Sequence, residues 1–363
     1  MGSGSGHLCL GIGIGCIRSL RARRRSGETG LVRIQLLFVL GVFGAAACAQ
    51  DVHVRVSPDV KTGIEGTTEF PTIQMALDHH PWPQHGGRVI IEIAPGVYHE
   101  RLNVTQNHPN ITLLGTGKSP ADVTITNSLN AKEAGGTFFT ETVEVNGTGF
   151  EADNVTFENT AGNTGQAVAI AVRADRAVFK HCRFLGHQDT LFADYGRQYY
   201  VDSYIEGGVD FIFGDAAAVF DHDELHANGP GYLTAQSRTS PEQPTGYVIV
   251  DSTITAGPEV QADPKRHGIY LGRPWRPYAR VVYLRDQLPE EIVPAGWNNW
   301  GKAENEKTAW FGEYGDTGPG ARTAERVAWA HRLSAAEAKQ FEARQFLAGK
   351  DGWDPVKAAR ELP

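Results

Sequence analysis

Asn154-Val155-Thr156-Phe157, His181-Cys182-Arg183-Phe184 and Asp202-Ser203-Tyr204-Ile205 share one pattern: a polar Asn, His or Asp, then alternating residues, then an apolar anchor. It recurs as Asn110-Ile111-Thr112-Leu113, Asp122-Val123-Thr124-Ile125 and Asp251-Ser252-Thr253-Ile254. The anchors fall 27 residues apart from Phe157 to Phe184, and 21 apart from Phe184 to Ile205. Strand-rich sequence repeating every ~20–30 residues describes coils of a parallel β-solenoid, each rung burying its apolar side on the next. A β-sandwich also fits short strands and frequent turns, but it gives no reason for the repeated Asx-led pattern.

Upstream, Asp51-Val52-His53-Val54 alternates, Phe70-Pro71-Thr72-Ile73-Gln74-Met75-Ala76-Leu77 reads as one short helix, and Val89-Ile90-Ile91-Glu92-Ile93 reads as a strand ending in the turn Ala94-Pro95-Gly96. Downstream, Ser334-Ala335-Ala336-Glu337 is a capping box, predicting a helix to about Leu347 with Gly349 placed to stop it. Phe341, Phe346 and Leu347 are expected to pack that helix on the solenoid as an end cap. With 41 % hydrophobic and 21 % charged residues, the chain has an ordinary globular composition.

Residues 1–49 are expected to stand apart as a leader, with the folded unit at 50–363. Arg33 precedes the apolar run Leu36 to Val42, and small residues follow to Ala49, the order of a secretory signal. The run is shorter than the ~20 residues a membrane span needs. Residues 1–30 read as a possible misplaced start. A secreted protein is expected; a periplasmic one, or one lipid-anchored through Cys48, is the alternative. Three of the four cysteines (Cys9, Cys16, Cys48) lie in the leader, so Cys182 has no partner for a disulfide, and a thiolate zinc site is excluded. Removing the leader takes away six arginines and Glu28, moving the formal charge from −8 to −13. That balance argues against a nucleic-acid partner.

The chemistry concentrates between Gln166 and Gly214. Asp189 and Asp210 are 21 residues apart and Gln166 and Gln188 are 22 apart, so a coil of that length stacks the four side chains on adjacent rungs of one face, at ~4.8 Å. Two close carboxylates cannot both ionise freely, which leaves one as an acid and the other as an anion. Stacked Asp and Gln ladders can equally serve only to satisfy each other's hydrogen bonds. Spacing alone leaves both readings open.

Five ordered blocks then tip the balance: Gly96-Val97-Tyr98-His99-Glu100, Gln166-Ala167-Val168-Ala169-Ile170, Gln188-Asp189-Thr190-Leu191, Asp210-Phe211-Ile212-Phe213-Gly214 and Leu271-Gly272-Arg273-Pro274-Trp275. Together they resemble the signature blocks of the pectin methylesterase (pectinesterase) family, and the similarity runs on to Gly318-Pro319-Gly320-Ala321. The resemblance implies an all-β, right-handed single-stranded parallel β-helix of the pectin-lyase-like type that hydrolyses the methyl esters of pectin to carboxylates and methanol. It implies Asp210 as nucleophile, Asp189 as general acid and base, and Gln188 with Gln166 as the oxyanion hole. Arg273 would pair with Asp210, Trp275 would offer a sugar an apolar face, and Phe213 and Thr137 would sit near the groove. No metal or other cofactor is expected, and a monomer acting on methylated homogalacturonan is.

Two other functions compete with this reading. A lyase would need a calcium site of clustered Asp, and no such cluster is visible; a non-catalytic polysaccharide-binding solenoid would not need both aspartates. Ser203 stands where many plant relatives carry a cysteine that could pair with Cys182, a departure that touches no catalytic position. His187 reads as surface, no histidine falls in a metal spacing, and the Asn-x-Thr sequences at Asn103, Asn110, Asn146 and Asn154 read as strand residues unless the source is eukaryotic.

Overall fold

The computed structural model describes residues 49–60, 68–261 and 268–362. The expected leader thus lies outside the described residues, apart from Ala49. Parallel strands stack from Val52–Val56 to His331–Arg332 as coils of a β-helix, right-handed as parallel crossovers almost always are. One wall has twelve strands, running through Val89–Ile93, Ile111–Gly115, Ala177–Lys180, Arg197–Val201, Ala217–Asp221, Gly246–Val250 and Arg280–Leu284 to Trp310–Tyr314. The other two walls are separate in the early coils and merge in the middle. There, Tyr204–Gly214 pairs with Arg183–Leu185 through its first half and with Leu191–Tyr195 through its second.

The recurring pattern marks a corner. Asn154, His181, Asp202 and Asp251 have φ of 60°, 50°, 51° and 50°, each at the end of a strand of the twelve-stranded wall. Asn, Asp and His tolerate this left-handed conformation better than other non-glycine residues, hence their place at the head of the pattern. Asn154 also donates its side-chain amide to the carbonyls of Gly115 and Gly117, so its polar group serves the turn. Two copies do not share this role. Asn110 is left-handed too (56°) but turns the chain into the twelve-stranded wall, and Asp122 closes a 3-10 turn, accepting from the amides of Lys118 and Ser119.

The anchors point inward in the expected register. Phe157 pairs with Phe184 and Phe184 with Ile205, and the first two rings stack at 5.5 Å. Inside the twelve-stranded wall Phe179, Tyr200 and Phe220 stack at 4.8 and 4.7 Å, the spacing between strands. At the first coil the helix Ile73–His79, capped by the Thr72 hydroxyl accepting from the Met75 amide, buries Ile73, Ala76 and Leu77 against the starting strands. Cys182 is buried and unpaired; its amide donates to the Ser203 hydroxyl at 3.0 Å, so the two positions do face each other across one coil.

The C-terminal helix is shorter and placed differently than expected. The Ser334/Glu337 capping box is present, but α-helix covers only Ala335–Ala338, followed by a 3-10 turn at Lys339–Phe341 and a new helix at Ala343–Phe346. Glu342 breaks the run with ψ of 143°. Phe341 and Leu347 pack on Val219, Val248, Val282 and Leu284, covering the outer face of the twelve-stranded wall and not the end of the solenoid.

Candidate active site

The stacking inferred from spacing is present. Gln166 bridges Gln188 and Gln188 bridges Val209, both in parallel, while Leu191 pairs with Ile212 and Phe192 with Phe213. Asp189 and Asp210 are therefore aligned on neighbouring coils, each at a left-handed corner with φ of 65° and 51°. Held conformations of this kind cost of order 1–3 kcal/mol and persist where surrounding structure fixes them. The Asp189 amide donates to the Val209 carbonyl, which ties the two corners together.

The two carboxylates have different surroundings. Arg273 approaches Asp210 as a fork, Nε donating to Oδ1 at 2.8 Å and Nη2 to Oδ2 at 2.6 Å. Among the described residues, no such cation is bonded to Asp189. Both are deeply buried, 6 % and 8 % exposed for Asp210 and Asp189, so burial raises both pKa values. For Asp210 the Arg273 fork opposes that rise. For Asp189, burial and then the nearby Asp210 charge push the value up to about 8, with Arg273 opposing from a distance. The arginine fork thus favours the anionic form on Asp210, and burial beside that charge favours the protonated form of Asp189.

Arg273 is itself clamped. Its guanidinium lies 3.8 Å from the ring centres of both Tyr232 and Trp300, a double cation–π contact. Its amide donates to the Thr234 carbonyl and that of Trp275 to the Gln236 carbonyl, so both residues hang from the neighbouring coil. A side chain at Gly272 would overlap the Thr234 hydroxyl, which explains the glycine before Arg273. Sequence reading missed Tyr232 and Trp300, because they lie 41 residues before and 27 after Arg273 and follow no common period.

All eight residues singled out in the sequence line one cleft of about 290 Å3: Thr137, Gln166, Gln188, Asp189, Asp210, Phe213, Arg273 and Trp275. Phe138, Ala235 and Trp300 complete it. Phe213 is buried in the floor, stacked at 4.5 Å on Phe192, which in turn lies 5.0 Å from Phe138. Phe192 was missed although it obeys the same 21-residue interval from Phe213 as the aspartates obey. His187 is half-buried and not the surface residue expected. Its ring lies where a side chain at Gly208 would sit, burial lowers its pKa, and it does not line the cleft.

A larger cleft of about 710 Å3 lies between the twelve-stranded wall and the C-terminal segment. It contains a group that sequence reading did not find, Asp221, His222 and Asp251, whose ligand-type atoms come within 4.8 Å of one another. These atoms are already engaged: Asp221 accepts from Tyr199 and contacts His222, and Asp251 is forked by Arg285.

A parallel β-helix with an asymmetric carboxylate pair beneath an aromatic cleft has the layout of a solenoid enzyme. A pectinesterase family profile matches residues 59–350. "Pectinesterase 31" of Arabidopsis thaliana is 40 % identical over 81 % of this chain and 92 % of its own length. The solved pectin methylesterase from carrot superposes with a TM-score of 0.78 at 37 % identity, over 86 % of this chain and 97 % of that one. A pectin methylesterase solved in complex with a hexasaccharide gives a TM-score of 0.67 at 26 % identity, over 87 % and 100 %. The chain belongs to the pectinesterase family.

Proposed function

We propose that this protein hydrolyses the methyl esters of pectin through an acyl-enzyme on Asp210. The observation that carries the reading is the unequal pair: two aligned carboxylates, with the arginine fork on Asp210. A methyl ester has a poor leaving group, so its cleavage needs a nucleophile and an acid together. An Asp210 oxygen attacks the ester carbonyl carbon, and the resulting oxyanion is held by the side-chain amides of Gln188 and Gln166. As the intermediate collapses, Asp189 gives its proton to the departing methoxide, and methanol leaves. Asp189, now a carboxylate, takes a proton from water; the hydroxide attacks the acyl carbon, and Asp210 is released with the sugar carboxylate. Atoms balance as ester plus water giving acid plus methanol.

The relatives' names and the hexasaccharide complex support pectin as the polymer, with Trp275 and Phe213 lending the cleft apolar surface for sugar rings. The catalytic unit is residues 50–363, acting as a monomer outside the cell, where a polymeric wall substrate is found. The leader pattern of residues 1–49 supports that location. Asp210→Ala protein incubated with highly methylated pectin should bind it and release no methanol. Near-normal methanol release by that variant would overturn the mechanism.

A further inference from the structure

Thr137 and Phe138, on the rim of the cleft, are carried by a loop, residues 130–139, whose two ends meet at one buried side chain. Asn159 is 3 % exposed and ends the strand Thr156–Asn159. Its side-chain amide donates to the carbonyls of Leu129 at 3.0 Å and Thr140 at 3.2 Å, the residues on either side of that loop. It also donates to the Val168 carbonyl at 3.1 Å, and its Oδ1 accepts from the Ala161 amide. Asn159 thus joins its own strand, the rim loop and the segment that leads from Gln166 into the strand Ile170–Arg173.

Further bonds tie the loop to that segment. The Val168 amide donates to the Thr140 hydroxyl at 2.9 Å, and the hydroxyl donates onward to the Thr137 carbonyl at 2.7 Å. The Ala131 amide donates to the Gln166 carbonyl at 2.8 Å, from the short helix Ala131–Ala134 that Asn130 caps. On the opposite side, the Ala167 amide donates to the Gln188 carbonyl at 3.0 Å. Among the described residues, no hydrogen bond fixes the Gln166 side chain, so the direction of its amide depends on how firmly its backbone is held.

We propose that Asn159 is a positioning residue for the esterase reaction, clasping the rim loop onto the Gln166 segment and so aiming the Gln166 amide at the oxyanion. The inference rests on the role proposed above for Gln166. Asparagine suits the clasp because a short stem carries two N–H donors and a carbonyl acceptor, whereas an ionised aspartate has no donor and serine has one. Without it, three backbone carbonyls each lose a donor beside a buried position. An oxyanion donor acts through being held in place before the charge develops, so a loosened segment weakens it. Because the oxyanion forms only on the way to the transition state, a misaimed Gln166 lowers kcat and leaves KM near its wild-type value. A residue that only stabilised the fold would lower the melting temperature and leave the kcat of folded protein unchanged.

The test is a double-mutant cycle on methanol release from highly methylated pectin, run well below the melting temperature of every variant, with Asn159→Ala, Gln166→Ala and the double variant. Asn159→Ala should lower kcat about tenfold, inside the ~100-fold that an ångström of misplacement can cost, with no matching change in KM. In the Gln166→Ala background the same substitution should change kcat less than about twofold, because no amide is left to aim. Thr140→Val, close to threonine in shape, removes the hydroxyl between Val168 and Thr137 and serves as the second variant should Asn159→Ala fail to fold; its loss of kcat should vanish in the same background. Amide exchange at Ala131, which reports the bond to Gln166, should quicken about tenfold in either variant. An unchanged kcat in the folded variants, or losses that multiply with that of Gln166→Ala, overturns the proposal. If wild type releases no methanol the esterase reading fails, and if Gln166→Ala keeps full activity the oxyanion assignment fails; exchange at Ala131 then still decides whether Asn159 holds the Gln166 segment, and an unchanged rate sinks the clasp.

Discussion

At the scale of single residues, Asp189 is where burial and function pull in the same direction. Its carboxyl is raised to about 8 by burial and by the Asp210 charge, so it can hold the proton that a methoxide must receive. Asp189→Asn should lower kcat by ~10²–10⁴-fold in a methanol-release assay. The same shift makes a stability statement. Above the ordinary aspartate value near 3.8, an unfolded chain ionises this group while the folded protein keeps it protonated. Its contribution to stability is therefore complete below about pH 4 and is lost as pH rises through about 8. The neutral asparagine carries no such loss, so the melting temperature of Asp189→Asn relative to wild type should climb between pH 4 and pH 8. A constant offset across that window would place the proton elsewhere. These aspartates were legible because they obey the coil period, as Gln166 and Gln188 do. Tyr232 and Trp300 were not: a cation–π clamp is a contact between coils of unequal length, and nothing in their local sequence marks it.

At the scale of elements, the corners were readable and the C-terminal helix was not. The left-handed corner favours Asn, Asp or His, as at Asn154, His181, Asp202, His222 and Asp251, so its chemistry is written at most turns, while Arg285 and Gly315 fill it in the later coils. The C-terminal segment instead answers to a flat sheet. In an unbroken helix, at ~100° per residue, Phe346 would lie roughly 140° around from Phe341 and Leu347 roughly 240°. The extended Glu342 resets the direction, letting Phe341 stack on Trp310 while Phe346 lies under Arg280 and Leu347 is fully buried. The last coils carry a more demanding element. Arg326 and Glu313, each with side chains 3 % exposed, form a fork, and Arg326 also donates to the carbonyls of Gly320 and Pro294. Trp297 donates its indole N–H to the same glutamate. Removing one partner leaves a buried charge uncompensated, so Arg326→Leu should cost about 3–5 kcal/mol in urea unfolding. A loss under 1 kcal/mol would mean that water reaches Glu313.

At the scale of the whole molecule, the solenoid was legible because its period is a property of the chain and not of distant contacts: Phe157, Phe184 and Ile205 fall in register as counted. The third face was hidden, since in Tyr204–Gly214 the two walls join at Gly207-Gly208 and the left-handed Asp210 inside one continuous strand. Stacked coils raise the question of whether such a molecule unfolds as one unit. Each coil touches mainly its neighbours, and stability in such arrays approximates a sum of nearest-neighbour terms. Tyr200 lies at the centre of the stack, between Phe179 and Phe220, with its hydroxyl donating to Gln198. Tyr200→Ala removes both ring contacts and leaves the Gln198 carbonyl oxygen without its donor, a loss of about 3–5 kcal/mol for a buried aromatic. If neighbour terms dominate, amide exchange should quicken in Ala177–Lys180 and Ala217–Asp221, while Val52–Val56, several coils away, keeps its protection. Because Asp189 and Asp210 sit on coils next to Tyr200, methanol release should then fall before the far end of the solenoid loosens. Equal loss of protection in all three strands would show instead that the coils open together, and that the catalytic corner draws its rigidity from the whole stack.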